Sequence, residues 1–359
     1  MPNFDIVRES EPDQSFRVAS IIGKFDLQSN KVIESFSGSI NLPKKWSIGL
    51  IVGASGTGKT TIAKELFPKS YITNFNYKAQ SILDDMPENC SIEEITKTFN
   101  SVGFSSPPSW LKPYSCLSNG QKMRVDLANS LMRKENLVVF DEFTSVVDRN
   151  VAKVGSYAVQ KAVRRTKKKF IAVTCHDDVE DWLLPDWIFD TDTMTFRITE
   201  GQKKNRPSLQ FDIFKSADKS IWKAFAKHHY LNHAHNNAST VFVAYINDKL
   251  AGFISVIHQP HPKAKKLKRI HRLVVLPDYQ GIGVGIRLLE FISNKYKEDG
   301  WRISIVTSAP SLIWALTKNK KWRLGFYGRK ANVITGIIHG RSTTTSNSSM
   351  RITTSFEKR

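Results

Sequence analysis

Short apolar runs separated by turn-forming residues alternate with helical periodicity along the first two hundred residues. Residues 47–52 form an apolar run that passes through glycines into a helical pattern over 60–67, so strand, loop and helix are expected in that order. A helix over 121–133 leads directly into the run Leu137 to Phe140, and a basic helix over 151–168 leads into a second run, 170–174. Strands alternating with helices imply an α/β fold with a mostly parallel sheet covered on both faces. A polar stretch over 200–208, with Gly201 and Pro207, reads as a boundary. A second α/β unit follows, with strands expected over 241–246, 250–257, 268–275 and 303–307 and helices near 218–229 and 284–297. After Arg341 the Ser/Thr-rich chain is too polar to pack. Three parts are therefore expected: 1–202, 203–340 and a disordered tail over 341–359.

Charge sharpens this division. The chain has 359 residues and a net charge of +20. Residues 1–202 hold 25 basic and 25 acidic side chains, and the remainder hold 28 and 8, so the whole excess lies in the second part. Such asymmetry favours a polyanionic partner, with simple solubility as the bland alternative. Cys90, Cys116 and Cys175 show no CxxC spacing, which argues against a zinc site and a disulfide framework and fits a reducing cytoplasm. No leader pattern is visible, and no run approaches the roughly 18 apolar residues of a membrane span.

The first candidate chemistry is the segment Gly53-Ala54-Ser55-Gly56-Thr57-Gly58-Lys59-Thr60-Thr61. Its glycines let backbone amides face a phosphate chain, Lys59 adds a point charge, and the Thr60 hydroxyl suits Mg²⁺. Further segments follow in order: Leu117-Ser118-Asn119-Gly120-Gln121, Leu137-Val138-Val139-Phe140-Asp141-Glu142, Ser145 to Asp148, and His176 after the run 170–174. Together they resemble the ABC ATPase family over about residues 20–200, with Asn119 where the family's signature has glycine. The resemblance implies ATP binding by 53–61 and by Ser118, Asn119, Gly120 and Gln121. It implies Mg²⁺ at Thr60, Asp141 and Gln80, the last a candidate Q-loop glutamine. Glu142 would orient the attacking water and His176 would sense the γ-phosphate. It further implies a head-to-tail homodimer, because the signature helix of one copy caps ATP held by another. Asn119 tolerates left-handed backbone angles, and slow hydrolysis is expected from it.

The second candidate is the strand 268–275 running through Leu276-Pro277-Asp278-Tyr279 into Gln280-Gly281-Ile282-Gly283-Val284-Gly285 and a helix. Amides at such a turn face an anion. A dinucleotide reading would require G-x-G-x-x-G directly after the strand, and its acidic residue would be Glu298 on a helix end. The Q-x-x-G-x-G spacing resembles instead the acyl-CoA motif of GNAT acyltransferases, over about 210–330. That likeness implies acetyl-CoA or another acyl-CoA held by Gln280 to Gly285, with the amides of Val274 and Val275 at the thioester carbonyl. The expected fold class is thus a P-loop ABC ATPase domain followed by a GNAT-fold α/β domain.

The transferase base is not fixed by the motif. His228, His229, His233 and His235 are four of nine histidines, beside Tyr230. The cluster could bind metal, supply a base or cover a groove. Candidate catalytic residues are Tyr230, His229, His271 and Ser308. Basic runs at 263–269 and 318–323, the second near Trp314, Trp322, Phe326 and Tyr327, suit phosphates and stacked bases or are ordinary solvated loops. The layout resembles fused ATPase–acetyltransferase proteins of prokaryotes and their viruses. His229-Tyr230, the strand-turn, Thr307-Ser308 and Lys321-Trp322-Arg323 resemble phage Mom-type GNAT enzymes that modify adenine in DNA. These likenesses imply acyl transfer to a nucleic-acid base amine. An ATP-regulated protein-lysine or small-amine acetyltransferase, a nucleic-acid-binding ATPase with a non-catalytic GNAT domain, and a transport ATPase are the rival readings.

Overall fold

The structure is a computed structural model that describes residues 3–13, 15–27, 31–72, 74–199, 210–230, 234–260, 266–329, 337–338, 341–342 and 352–358. The chain opens with β1 (Asn3–Ser10), α1 (Phe16–Phe25), β2 (Val32–Ser39), β3 (Ile48–Val52) and α2 (Lys59–Leu66). Three helices follow: α3 (Ile92–Ser101), α4 (Pro107–Trp110) and α5 (Asn119–Met132). Next come β4 (Leu137–Phe140), α6 (Arg149–Val163), β5 (Lys169–Thr174), α7 (Val179–Leu183), β6 (Trp187–Asp190) and β7 (Thr195–Ile198). The C-terminal part holds β8 (Phe211–Ser216), α8 (Trp222–Ala226), β9 (Thr240–Ile246), β10 (Lys249–His258), β11 (Leu267–Val275), α9 (Val284–Glu298) and β12 (Arg302–Thr307). It ends with α10 (Pro310–Lys318), β13 (Trp322–Arg329), β14 (Ile337–Ile338), β15 (Arg341–Ser342) and β16 (Ile352–Lys358).

Two compact units result. The first comprises 1–77, 87–89 and 122–207, and the second 78–86, 90–121 and 208–359. The segment around α3 and α4, expected with the first half, folds with the C-terminal residues. The expected boundary at 202/203 lies outside the described residues.

In the first unit the sheet order is β4-β5-β3-β6-β7, parallel except for β7. All five residues of β3 are buried, as a parallel strand covered on both faces requires. At Gly49 an added Cβ would lie 2.1 Å from the Trp187 ring, so the indole fills the space a side chain would take. Packed around β3 are Ile62, Phe67, Val139, Ile171, Val173 and Phe189. The expected helix 151–168 ends at Val163. There Arg164 turns its guanidinium to Asp186 at 3.0 Å and to the Leu184 carbonyl at 2.6 Å, anchoring the residue that follows the helix.

The second unit has a seven-stranded sheet, β13-β16-β12-β11-β10-β9-β8. Only β11 and β12 among these neighbours run parallel, and their pairing stops at Ile270 and Ile305. Beyond that point β11 continues to Val275 without β12, while β12 pairs with β16 through Thr307. The strands therefore part where the acyl group is expected. Two helices differ from expectation only in length: that near 218–229 shortens to α8, whereas α9 matches 284–297 within a residue.

The disordered tail is corrected for 352–358. These residues form β16, inserted between β12 and β13. Its Thr353, Thr354, Phe356 and Lys358 are buried, and Phe356 joins the core beside Ile303, Ile305 and Trp322. β-branched threonines suit a pleated strand, and the buried Lys358 ammonium is satisfied by Glu290. Polar composition alone concealed this.

Candidate functional sites

The loop expected to hold nucleotide lies between β3 and α2, built so that backbone rather than side chains lines it. Gly53, Gly56 and Gly58 have φ of 153°, 88° and 82°. An added Cβ at Gly53 would lie 2.2 Å from the Thr191 hydroxyl, and one at Gly58 would lie 2.5 Å from the Phe36 ring. The turn between β6 and β7 anchors the loop. Asp192 accepts from the Ala54 amide at 2.8 Å, and the Thr57 and Thr191 hydroxyls share a 2.6 Å bond. Neither Thr191 nor Asp192 was expected from sequence, because their contacts with the loop are 134 and 138 residues distant. The Lys59 ammonium donates to the Ala54 carbonyl. Ser55 and Thr61 are placed on the loop and in the first turn of α2.

At the end of β4, Asp141 accepts from the Thr60 hydroxyl at 2.8 Å and from the Tyr71 hydroxyl. Burial first, and then the Asp141 carboxylate, push the Tyr71 phenol far above its ordinary range, so Tyr71 stays a donor. Two converging oxygens fit a Mg²⁺ ion that keeps water and phosphate as its other ligands. No group of three or more His, Cys, Asp or Glu forms a metal cage among the described residues. Glu142 is exposed, with φ of 50°. Asp148 caps α6 by accepting from the amides of Asn150 and Val151 at 3.0 and 3.3 Å. His176 follows β5, and its amide donates to the Thr174 hydroxyl at 3.2 Å. Its pKa is lowered by burial and then by Arg149, so the ring is neutral and can both donate and accept.

In the second unit, Ser118 begins α5 by a capping exchange: its amide donates to Gln121 Oε1 at 3.1 Å, and the Gln121 amide to its hydroxyl at 3.4 Å. Asn119 and Gly120 form the first turn. The buried Gln121 also donates through Nε2 to the Ser109 hydroxyl at 3.1 Å. Gln80 is exposed in this same unit.

The loop expected to hold acyl-CoA joins β11 to α9. Gly281 and Gly283 have φ of 86° and 92°, and a Cβ at Gly283 would meet nothing within 4 Å. Gly283 is the N-cap of α9, without a side-chain cap. The first-turn amides from Val284 and Gly285 onward have no intrahelical acceptor, an arrangement that fits a pyrophosphate. Ile282 lies between the glycines, and Val274 is buried on β11. Gln280 Nε2 donates to the Val275 carbonyl at 2.9 Å, while its Oε1 accepts from the Ser105 amide at 2.7 Å.

Beside β11 a chain of rings brings most transferase candidates together. His229 stacks on Tyr230 at 5.0 Å and lies 5.8 Å from Trp222. Trp222 stacks on His235 at 5.5 Å, and His235 is 5.7 Å from His271. The Tyr230 hydroxyl accepts from the Ser308 amide at 3.2 Å, so Ser308 contributes its backbone there. His271 Nε2 accepts from the Asn236 amide at 3.3 Å. Burial, then Arg272, lowers the His271 pKa to about 4, and burial, then Lys227, lowers that of His228 to about 4. Both are neutral at pH 7. Arg272, missed from sequence, donates to the carbonyls of His271 and Ala234 at 3.1 and 3.0 Å. His233 and residues 263–265 of the first basic run lie outside the described residues.

Similarity to known proteins falls in the same two parts of the chain. Residues 237–330 match the acetyltransferase (GNAT) domain family. An uncharacterised ABC transporter ATP-binding protein of Haemophilus influenzae is 26% identical over 179 residues, covering 41% of this chain and 71% of that protein. Among solved structures, an IAA acetyltransferase from Bacillus cereus aligns with 16% identity and a TM-score of 0.30, over 42% of this chain and 99% of that one. A dimeric bacterial ABC transporter cassette, MJ0796, aligns with 16% identity and a TM-score of 0.34, over 44% and 87%. No helix among the described residues is long and apolar enough to cross a membrane. One chain thus joins a part similar to ABC transporter ATP-binding proteins to a segment, 237–330, that matches the acetyltransferase (GNAT) domain family.

Proposed function

We propose that this chain is an ABC-type ATPase that controls a GNAT N-acyltransferase acting on an amine of a nucleic-acid base, in the cytoplasm and as an ATP-dependent homodimer. The observation that carries the polymer substrate is the charge division: every excess positive charge lies after residue 202. Exposed aromatics accompany it. Trp314 is 54% exposed with Lys318 at 4.3 Å over its ring, and Tyr327 is 63% exposed on β13. Cations neutralise phosphates and aromatic faces stack on bases.

Thr60 and Asp141 would hold Mg²⁺, which neutralises charge developing on the phosphates. Glu142 orients water, and neutral His176 donates to the terminal phosphate. In the transferase, α9 amides hold the pyrophosphate and β11 directs the thioester towards the gap left by β12. Attack by the acceptor nitrogen forms an N–C bond, breaks the C–S bond, releases one proton from nitrogen and requires one at sulfur. The amine proton passes to water, since His271 Nε2 already accepts from the Asn236 amide, and the Tyr230 phenol suits the second transfer. Binding to duplex and single-stranded nucleic acid as a function of salt tests the substrate class. A steep fall in affinity with salt is expected, and no binding, or salt-independent binding, overturns it.

A further inference from the structure

A route of polar contacts, buried at its centre and part-buried at its two ends, runs from the ATPase signature to the acyl-CoA loop inside one compact unit. Ser118 bonds Gln121, and Gln121 Nε2 reaches the Ser109 hydroxyl at 3.1 Å. Ser109 lies on α4, and its amide donates to the Ser106 carbonyl at 2.9 Å. The turn is braced by Trp110 Nε1, which donates to the Phe104 carbonyl at 2.9 Å. From its start the Ser105 amide reaches Gln280 at 2.7 Å, and Gln280 holds the Val275 carbonyl at 2.9 Å. Ser106, Ser109 and Gln121 are all buried. Buried polar contacts have few alternative partners, so displacement at one end must be accommodated at the next.

We infer that residues 104–121 link the two activities, so that nucleotide engaged by the Ser118 helix changes acyl-CoA affinity through Ser109, Ser105 and Gln280. The inference rests on the transferase reading. It assigns the signature segment a second task besides capping ATP, and it names Ser105 and Ser109 as positioning residues for the acyl-CoA loop.

The test is acetyl-CoA affinity of the full chain carrying Glu142→Gln, measured calorimetrically without nucleotide and at saturating ATP. A change of at least about 5-fold is expected, with ATP affinity changing by the same factor when acetyl-CoA saturates. Ser109→Ala should bring the coupling factor, the ratio of acetyl-CoA affinities with and without ATP, close to one. Should that variant not fold, Ser105→Pro, which deletes the donor to Gln280, carries the same expectation. Equal acetyl-CoA affinity in both nucleotide states overturns the link alone, as does a coupling factor untouched in a folded variant. Absence of acetyl-CoA binding in every state overturns the transferase reading together with the link.

Discussion

Single side chains whose role follows from one contact give the clearest tests. Glu142→Gln keeps the shape of Glu142 but removes its charge, so ATP binding should persist while hydrolysis falls by about 10²-fold or more; unchanged turnover would remove Glu142 from the mechanism. Tyr71→Phe deletes a donor to Asp141. Loss of such an orienting partner should weaken the Mg²⁺ dependence of fluorescent-nucleotide binding by about 10-fold, and an unchanged Mg²⁺ titration would reduce Tyr71 to packing. His271 and His228 have folded pKa values of about 4 against an ordinary 6.5. The unfolded chain therefore binds more protons between these values. Their stabilisation is complete above pH 6.5 and is lost as pH falls towards 4. The thermal unfolding midpoint should fall as pH is lowered across that window, less steeply for His271→Asn, and identical slopes would contradict the burial argument. Lys59, Thr60, Asp141 and Gln280 were legible in sequence because their motifs are local. Tyr71, Thr191, Asp192 and Arg272 were not, since their partners are reached only through the folded sheet.

Strands and helices with a single periodicity were recovered almost to the residue, as β3, β4, β5, β9 to β12, α2 and α9 show. Those whose stability comes from neighbours were not. β16 is threonine-rich, and only the slot between β12 and β13 makes a strand of it. Phe356→Ala should cost about 3–5 kcal/mol of unfolding free energy, measured by denaturant titration. A loss below about 1 kcal/mol would mean that β16 adds little to the sheet. The helices α3 and α4 were missed for a similar reason. α3 has its own start signal in the Ser91 and Glu94 capping box, but the segment that contains both helices packs with residues far along the chain.

The two motifs alone would describe an ATPase and an acyltransferase that merely share a chain. Two larger features favour the proposed link between them: the excess charge lies wholly after residue 202, and residues 118–121 fold within the unit that holds residues 280–285. The charge division is legible in the order of basic and acidic residues, whereas the shared unit depends on contacts between residues as distant as Ser105 and Gln280. The most direct test of a nucleotide-controlled base acyltransferase is transfer of labelled acetyl from acetyl-CoA, with nucleic acid and a protein-lysine substrate offered together, with and without ATP. The account predicts label in nucleosides released by nuclease, at a level that ATP changes and that Gly283→Asp abolishes. Label confined to protein, or nucleoside labelling indifferent to ATP, would contradict it.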